Sequence, residues 1–322
     1  MRAWILGCSL VLLGAGLVAC GEEEPADEAS ATAALSKPVS GKVRTPSGEF
    51  DAACVHEIPA GAVVGIDGAV SLNGAVVARH AQCAVNPAMT VPRVVGQGLQ
   101  PPTTNGWVEA SWADAATIGG LTYFNQLNAN FSVPNAPAAN AGQLIYLFPS
   151  VEANGAAILQ PVLQYGSNGA FGGNYWTLAS WYVTATNGYW STPVTVNSGD
   201  SITSYIKLLD GSNSGFDFWV VSGTDTTLSR TSGTAFYTPK TPFNSAQQGV
   251  LEVYNVSSCN AYPSTGYMIF TNVTATQAGP HWNNYNGVTP GWFPAYWGAS
   301  PSCGFQVTNF GSGGSEGTTL AF

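Results

Sequence analysis

Beyond residue 105 the chain alternates apolar and polar positions in short runs of period two. Turn signals separate the runs, among them Asn187-Gly188, Ser198-Gly199-Asp200 and Asp210-Gly211. Alternation of this kind places successive side chains on opposite faces of an extended strand. It predicts strands at 107–112, 121–128, 129–133, 143–148, 157–165, 175–184, 189–190 with 194–196, 201–209, 216–222, 226–230, 250–256 and 268–274, with closing strands at 304–310 and 318–322. No helix-period segment of useful length lies between them. Many short strands with turns between them indicate an all-β fold, a two-sheet sandwich of the jelly-roll kind.

One stretch departs from the simple pattern. In Ala157-Ile158-Leu159-Gln160-Pro161-Val162-Leu163-Gln164-Tyr165, one face carries Ala157, Leu159, Leu163 and Tyr165 and belongs in a core. The other carries Ile158, Gln160, Val162 and Gln164, two amides where aliphatics would suit a buried face. The nearest counterpart is Gly249 to Val256, an apolar strand interrupted by Glu252. Gln160 and Glu252 are expected to meet across one sheet.

The segments before residue 105 have a different character. Arg2 and the apolar run that ends in Leu17-Val18-Ala19-Cys20 have the form of a bacterial lipoprotein signal (1–19), with Cys20 the lipidated residue. Gly21, where the inner-membrane retention signal has Asp, points to the outer membrane or cell surface. Residues 20–36, with Glu22, Glu23, Glu24, Asp27 and Glu28, form an acidic tether too polar to fold. Residues 37–100 suggest a small separate β unit, with Asn73-Gly74 as a hairpin signal. Pro101-Pro102 marks the boundary to the sandwich, 104–278, and 279–322 is an aromatic and Gly-rich tail packed on it.

Cys54 and Cys83 bracket the small unit. A disulfide is the default in an exported protein, and a zinc site with His56 and His80 is the alternative. Cys259 and Cys303 would staple the tail. The four cysteines allow three pairings, among which the sequence does not choose.

Composition narrows the chemistry. The 322 residues include 38 Gly and 20 Pro, only 8% are charged, and the net charge is −9. Such a surface cannot neutralise a phosphate backbone, so nucleic acid is not an expected partner. A chain with few carboxylates to protonate should also tolerate acid. Nucleophile-elbow, phosphate-loop and zincin motifs are absent, and of the three histidines only His281 lies near the main domain. No cofactor or metal is implied. A Glu on a sheet face with little charge nearby can serve as general base, and an amide facing the same cavity as oxyanion partner, with water as nucleophile.

These segments resemble the glutamic peptidases of the eqolisin type. Phe131-Ser132-Val133-Pro134 is similar to a Phe-Thr-Val-Pro strand entry, and Ala157 to Gln160 matches an Ala-Ile-Leu-Gln segment. The Gly199-Asp200-Ser201-Ile202 turn matches, and Leu251-Glu252-Val253 stands for Ala-Glu-Trp. The resemblance implies a concanavalin-like sandwich, a Gln160–Glu252 dyad and a polypeptide substrate, with Tyr146, Ser150, Gln164, Trp181 and Tyr182 lining the cleft. The chain departs from the family at several points. Gln160 is followed by Pro161-Val162 where the family has Thr-Gly. Tyr146 and Ser150 stand where it has Trp and Asp. Ala179-Ser180-Trp181-Tyr182 lacks the Glu of its Tyr-Glu-Trp-Tyr run.

Two classes of function follow. One is an acid endopeptidase anchored outside the cell. The other is a non-catalytic carbohydrate-binding lipoprotein, its amides and aromatic rings facing a glycan.

Overall fold

The structure, a computed structural model, describes residues 41–90, 105–115, 123–153, 155–212, 215–240, 242–278, 286–288, 291–297, 301–312 and 316–322. The signal, Cys20, the tether, the Pro101-Pro102 boundary and His281 lie outside them. Ser36–Phe322 forms one compact unit.

The first strands are β1 (Lys42–Thr45), β2 (Gly48–Asp51), β3 (Val55–Ile58), β4 (Val63–Val64), β5 (Ala69–Leu72) and β6 (Ala75–Arg79), followed by the short helix α1 (Pro87–Thr90). Next come β7 (Gly106–Asp114), β8 (Tyr123–Ser132), β9 (Leu144–Ala153), β10 (Ala157–Ser167), β11 (Gly172–Thr184), β12 (Gly188–Ser191) and β13 (Val194–Val196). They are followed by β14 (Ser201–Asp210), β15 (Phe216–Asp225), β16 (Arg230–Pro239), β17 (Ser245–Tyr254) and β18 (Tyr267–Ala278). The chain closes with β19 (Asn286–Val288), β20 (Phe293–Tyr296), β21 (Gln306–Phe310) and β22 (Glu316–Ala321).

Among the described residues these make two large sheets and a separate hairpin. Sheet I runs β20-β7-β17-β9-β10-β11-β12-β3, with β13 also on β11; sheet II runs β21-β22-β18-β8-β14-β15-β16-β4-β5-β6, with β19 on β18. The all-β sandwich expected from the alternation is therefore present. Its core lies between the sheets and includes Leu147, Leu159, Leu163, Tyr182, Trp219, Phe236 and Phe270.

The segment expected as a small unit of its own supplies edge strands to both sheets. β3 pairs in parallel with β12, and β4 in parallel with β16. Cys54 is bonded to Cys83 and Cys259 to Cys303, so the thiols of the zinc alternative are taken up by a disulfide.

Two local expectations need correction. Residues 121–133 are not two strands, for β8 runs unbroken from Tyr123 to Ser132. The strand expected at 226–230 is absent: residues 226–229 are a turn, although Thr226-Thr227 favours extended backbone. The Asp225 carboxylate accepts the backbone N–H of Thr227 (3.0 Å) and of Leu228 (3.1 Å), and Ser229 takes φ +54°. Such a side-chain bond to local backbone out-competes a ladder. The strand begins at Arg230 instead.

Candidate functional site

β10 sits near the centre of sheet I, between β9 and β11. Its residues alternate as expected: Leu159 and Leu163 face sheet II, while Ile158 and Val162 belong to a second apolar cluster on the outer face of sheet I. The pairing of β10 with β9 keeps one offset from Leu159↔Val151 to Leu163↔Leu147. At that offset Pro161 lies opposite Pro149 and Gln160 opposite Ser150. Proline cannot donate to a ladder and is normally excluded from central strands. Here two prolines face each other, and their missing N–H groups coincide in one gap.

The outer face of sheet I is not open. The β1–β2 hairpin lies across it, with Val43 and Phe50 packed among Ile158, Val162, Trp181 and Trp190. Gln160 is 0% exposed, and its Nε2 donates to the Pro46 carbonyl at 3.0 Å. The Tyr146 hydroxyl donates to the Arg44 carbonyl at 2.6 Å, and the Arg44 N–H donates to Asn168 O at 2.9 Å. The Arg44 guanidinium stands 5.4 Å over the Tyr254 ring.

Glu252, 1% exposed, lies on β17 opposite Tyr146 of β9, and Tyr146 in turn is opposite Gln164 of β10. The three therefore form one row across adjacent strands. The Tyr254 hydroxyl donates to Glu252 Oε1 at 2.6 Å. Burial raises the Tyr146 hydroxyl well above its ordinary value, and the neighbouring Glu252 charge adds to this. Glu252 also lines a cavity of about 240 Å³ with Ser47, Gly48, Trp107 and Tyr254. The expected meeting of Gln160 and Glu252 does not follow: Glu252 is level with Tyr146 and Gln160 with Ser150, four positions further along β9, so Gln160 meets the hairpin at the Pro46 carbonyl while Ser47 and Gly48 share a cavity with Glu252.

The other expected cleft residues divide. Tyr146 reaches the hairpin backbone directly. Trp181 is on the same face, 0% exposed, with ring centroids 5.9 Å from Phe171 and 5.5 Å from Trp190. Gln164 is spent on local structure: its Nε2 donates to Gly166 O and Phe171 O, and its Oε1 accepts from Asn168. Ser150 Oγ donates to Gln247 Oε1 at 2.5 Å. Tyr182 does not line the cleft. It faces sheet II, with its ring 5.0 Å from Phe236, because it follows Trp181 by one position on the strand. Trp181 and Tyr182, the aromatic rings expected in the cleft beside Tyr146, are both buried.

Sequence reasoning missed Gln247 and the hairpin. Gln247 pairs with Ser150, which stands opposite Gln160, so a second row runs Gln247–Ser150–Gln160 across the sheet. Ala246-Gln247-Gln248 shares only its alanine with Ala-Glu-Trp, so the motif could not point to it. A bulge between Gln247 and Val250 separates it from Glu252. The hairpin left no signal either, since its contacts join positions more than a hundred residues apart.

One further acid lies between the sheets. Glu109 is fully buried, and burial pushes its carboxyl up to about 9, against a smaller opposing pull from the Gln306 backbone N–H.

No protein-family model matches the chain, and no curated protein matches it in sequence. Among solved structures it is similar to Scytalido-glutamic peptidase bound to a peptide-based transition-state analog, with a TM-score of 0.42 and 12% identity over 68% of this chain and 100% of that one. It is also similar to SCP-B, a member of the eqolisin family in complex with the tripeptide Ala-Ile-His (TM-score 0.38, 14% identity, 67% and 99% covered). The enzymatically active domain of bacteriophage CBA120 tailspike protein 2 is a third (TM-score 0.28, 14% identity, 73% and 39% covered).

Proposed function

We propose that the chain is an acid-acting polypeptide hydrolase, with Glu252 as general base toward water and Gln160 as the amide that stabilises the carbonyl oxygen. The observation that carries this is a polypeptide segment already seated on this face, whose Pro46–Ser47 linkage lies at Gln160 and whose next residues line the cavity at Glu252. Gln160 Nε2 donates to the carbonyl of that linkage, and the cavity at Glu252 opens on the next residue. A donor already aimed at a carbonyl stabilises the negative charge that develops there on attack. The Tyr254 hydroxyl on Glu252 Oε1 orients the carboxylate for proton transfer. Water adds to the carbonyl carbon, Glu252 takes its proton, and collapse with proton return to nitrogen yields an acid and an amine.

A specific observation favours a second function, polypeptide binding without hydrolysis: Gln247, an amide, shares a row with Gln160, whereas Glu252 shares one with Tyr146. Cleavage of an unfolded protein at about pH 3–5 separates the two. Hydrolysis by the proposed dyad predicts that Glu252→Gln abolishes cleavage. If Glu252→Gln has no effect, or if Gln247→Glu confers cleavage on an inert chain, the dyad is misassigned.

The anchor is proposed in the same way, from Leu17-Val18-Ala19-Cys20 and the acidic stretch after it. Acyl chains on Cys20 would hold the protein at an outer membrane or cell surface, and the Cys20→Ser chain should be recovered unacylated by mass spectrometry.

A further inference from the structure

A second concave surface lies on the outer face of sheet II, on the side of the sandwich away from Gln160 and Glu252. It is a cavity of about 660 Å³, against about 240 Å³ at Glu252, and falls within the ~300–1,000 Å³ of small-ligand sites. Its floor is built by three neighbouring strands whose alternation is in phase. Thr203 of β14 stands opposite Asn130 of β8, and Asn130 opposite Thr271 of β18. Ser201 and Ser132 form the next row, and the exposed side chains of Ile269 and Tyr267 line the same cavity. The residues between them in sequence, Phe131, Ile202 and Phe270, turn into the core.

Exposed hydroxyls on a strand ordinarily serve water, and three features set this face apart. The first is a bulge on β18, whose register shifts against β22 between Phe270 and Val273 and against β8 between Thr271 and Thr274. Asn272 takes φ +50° there, a left-handed backbone that non-glycine residues seldom adopt. Thr271 and Asn272, successive in sequence, therefore both line the cavity, where a regular strand would turn one of them away. The second feature is charge, for no charged side chain is among the residues that line the cavity. Asp200, beside Gly199 of the wall, is buried and accepts the Asn197 N–H at 2.8 Å. Lys207 lies four residues beyond Thr203, roughly 13 Å along β14. The third is the closed ladder below. β8 is paired on both sides, by β14 and β18, so an extended polypeptide finds no free edge to join.

What suits such a surface is an uncharged ligand that offers hydroxyls in both hydrogen-bonding senses and has an apolar face. The hydroxyl and amide side chains meet the first demand, as each type can donate and accept. The Tyr267 ring, 45% exposed, and Ile269 supply the apolar surface. We propose that this groove binds a short neutral oligosaccharide, with Asn130, Thr203, Thr271 and Asn272 taking its hydroxyls and Tyr267 stacked on a sugar ring. The site is separate from the cleft on sheet I and stands whether or not Gln160 and Glu252 are hydrolytic.

The experiment titrates the full chain with three neutral trisaccharides, maltotriose, cellotriose and tri-N-acetylchitotriose, and with the anionic trigalacturonate. Binding is read by calorimetry and by saturation-transfer NMR. At least one neutral trisaccharide should bind with saturation and a Kd tighter than about 1 mM, and trigalacturonate at least tenfold more weakly. Tyr267→Ala removes the stacking ring. Asn272→Gly removes the amide and leaves a residue at ease at φ +50°. Each should weaken binding at least tenfold. Tyr175→Ala, an exposed ring on β11 outside the groove, should leave it unchanged. The proposal is overturned if no neutral trisaccharide saturates, or if trigalacturonate binds as tightly. It is equally overturned if the groove variants bind like the wild type, or if Tyr175→Ala loses as much as they do. Should Tyr267→Ala fail to fold, Asn272→Gly and Thr203→Val decide by the same tenfold criterion.

Discussion

The outer faces of the two sheets differ in what covers them. On sheet II, β14 alternates strictly, with Ser201, Thr203 and Tyr205 exposed and Ile202, Ser204 and Ile206 turned inward. Its polar side chains are open to water. On sheet I, β9 and β17 are buried at every position, and β10 at all but its last. Polar groups there cannot rely on solvent and need partners within the protein. Four side chains have at least one: Gln160 with Pro46, Ser150 with Gln247, Glu252 with Tyr254, Gln164 with its own turn. An amide on an alternating strand says little, whereas one on a doubly covered strand marks a place where something polar must sit.

Truncating matched rings tests this comparison most severely. Trp181→Ala, beneath the hairpin, should lower the stability measured by urea unfolding by about 3–5 kcal/mol. Tyr205→Ala, 41% exposed on the other outer face, should change it by no more than about 0.5 kcal/mol. Equal effects would mean that the hairpin does not seal the face of sheet I.

The next effect concerns the sandwich body and has a defined sign. Glu109 is held neutral in the fold, its carboxyl raised from 4.5 to about 9. A raised acid contributes stability that is fully present below 4.5 and is lost as pH rises toward 9. Glu109→Gln should therefore stabilise the protein at neutral pH by about 1–3 kcal/mol and leave it unchanged in acid. A difference between the two proteins that stays constant with pH would show that the carboxyl does not carry this penalty.

The cover responds in the opposite sense and more weakly. His56 of β3 stacks on His80 with ring centroids 3.7 Å apart, and burial, then the His80 charge, lowers it from 6.5 to about 4. A lowered imidazole contributes stability above 6.5 that is lost as pH falls through 6.5 toward 4. Because His56 is only partly buried, the loss should be about 1 kcal/mol. Protection of the β3 amides in hydrogen exchange, referred to intrinsic rates, should fall over that range in the wild type and not in His56→Gln. Acid would then loosen the N-terminal segment while it favours the body beneath.

Much of the architecture was legible locally. Period-two alternation located the strands of the sandwich, since which face a residue takes depends only on its parity along the chain. The same parity placed Gln160 and Ile158 together and opposite Leu159. It also placed Tyr182 away from Trp181, so the expectation that both line one cleft conflicted with the strand itself. The strand at 226–230 failed for a local reason, an Asp225 side chain whose bonds to Thr227 and Leu228 outweigh the extended preference of two threonines. The strand expected at 143–148 runs on through Pro149 to Ala153, and the structure admits that proline by setting Pro161 opposite.

What the sequence by itself determined was the all-β class, the alternation of each strand and the two polar interruptions, Gln160 and Glu252, in otherwise apolar runs. These follow from short-range geometry, where neighbours along the chain are neighbours in space. Only the tertiary structure decided what lies above those residues. The Gln160–Pro46 bond joins positions 114 residues apart, and it exists because β3 and β4 dock in parallel on the edges of both sheets and carry the preceding hairpin over the open face. Nothing in the pattern of either segment encodes that meeting, because burial of a face depends on which distant element arrives to cover it.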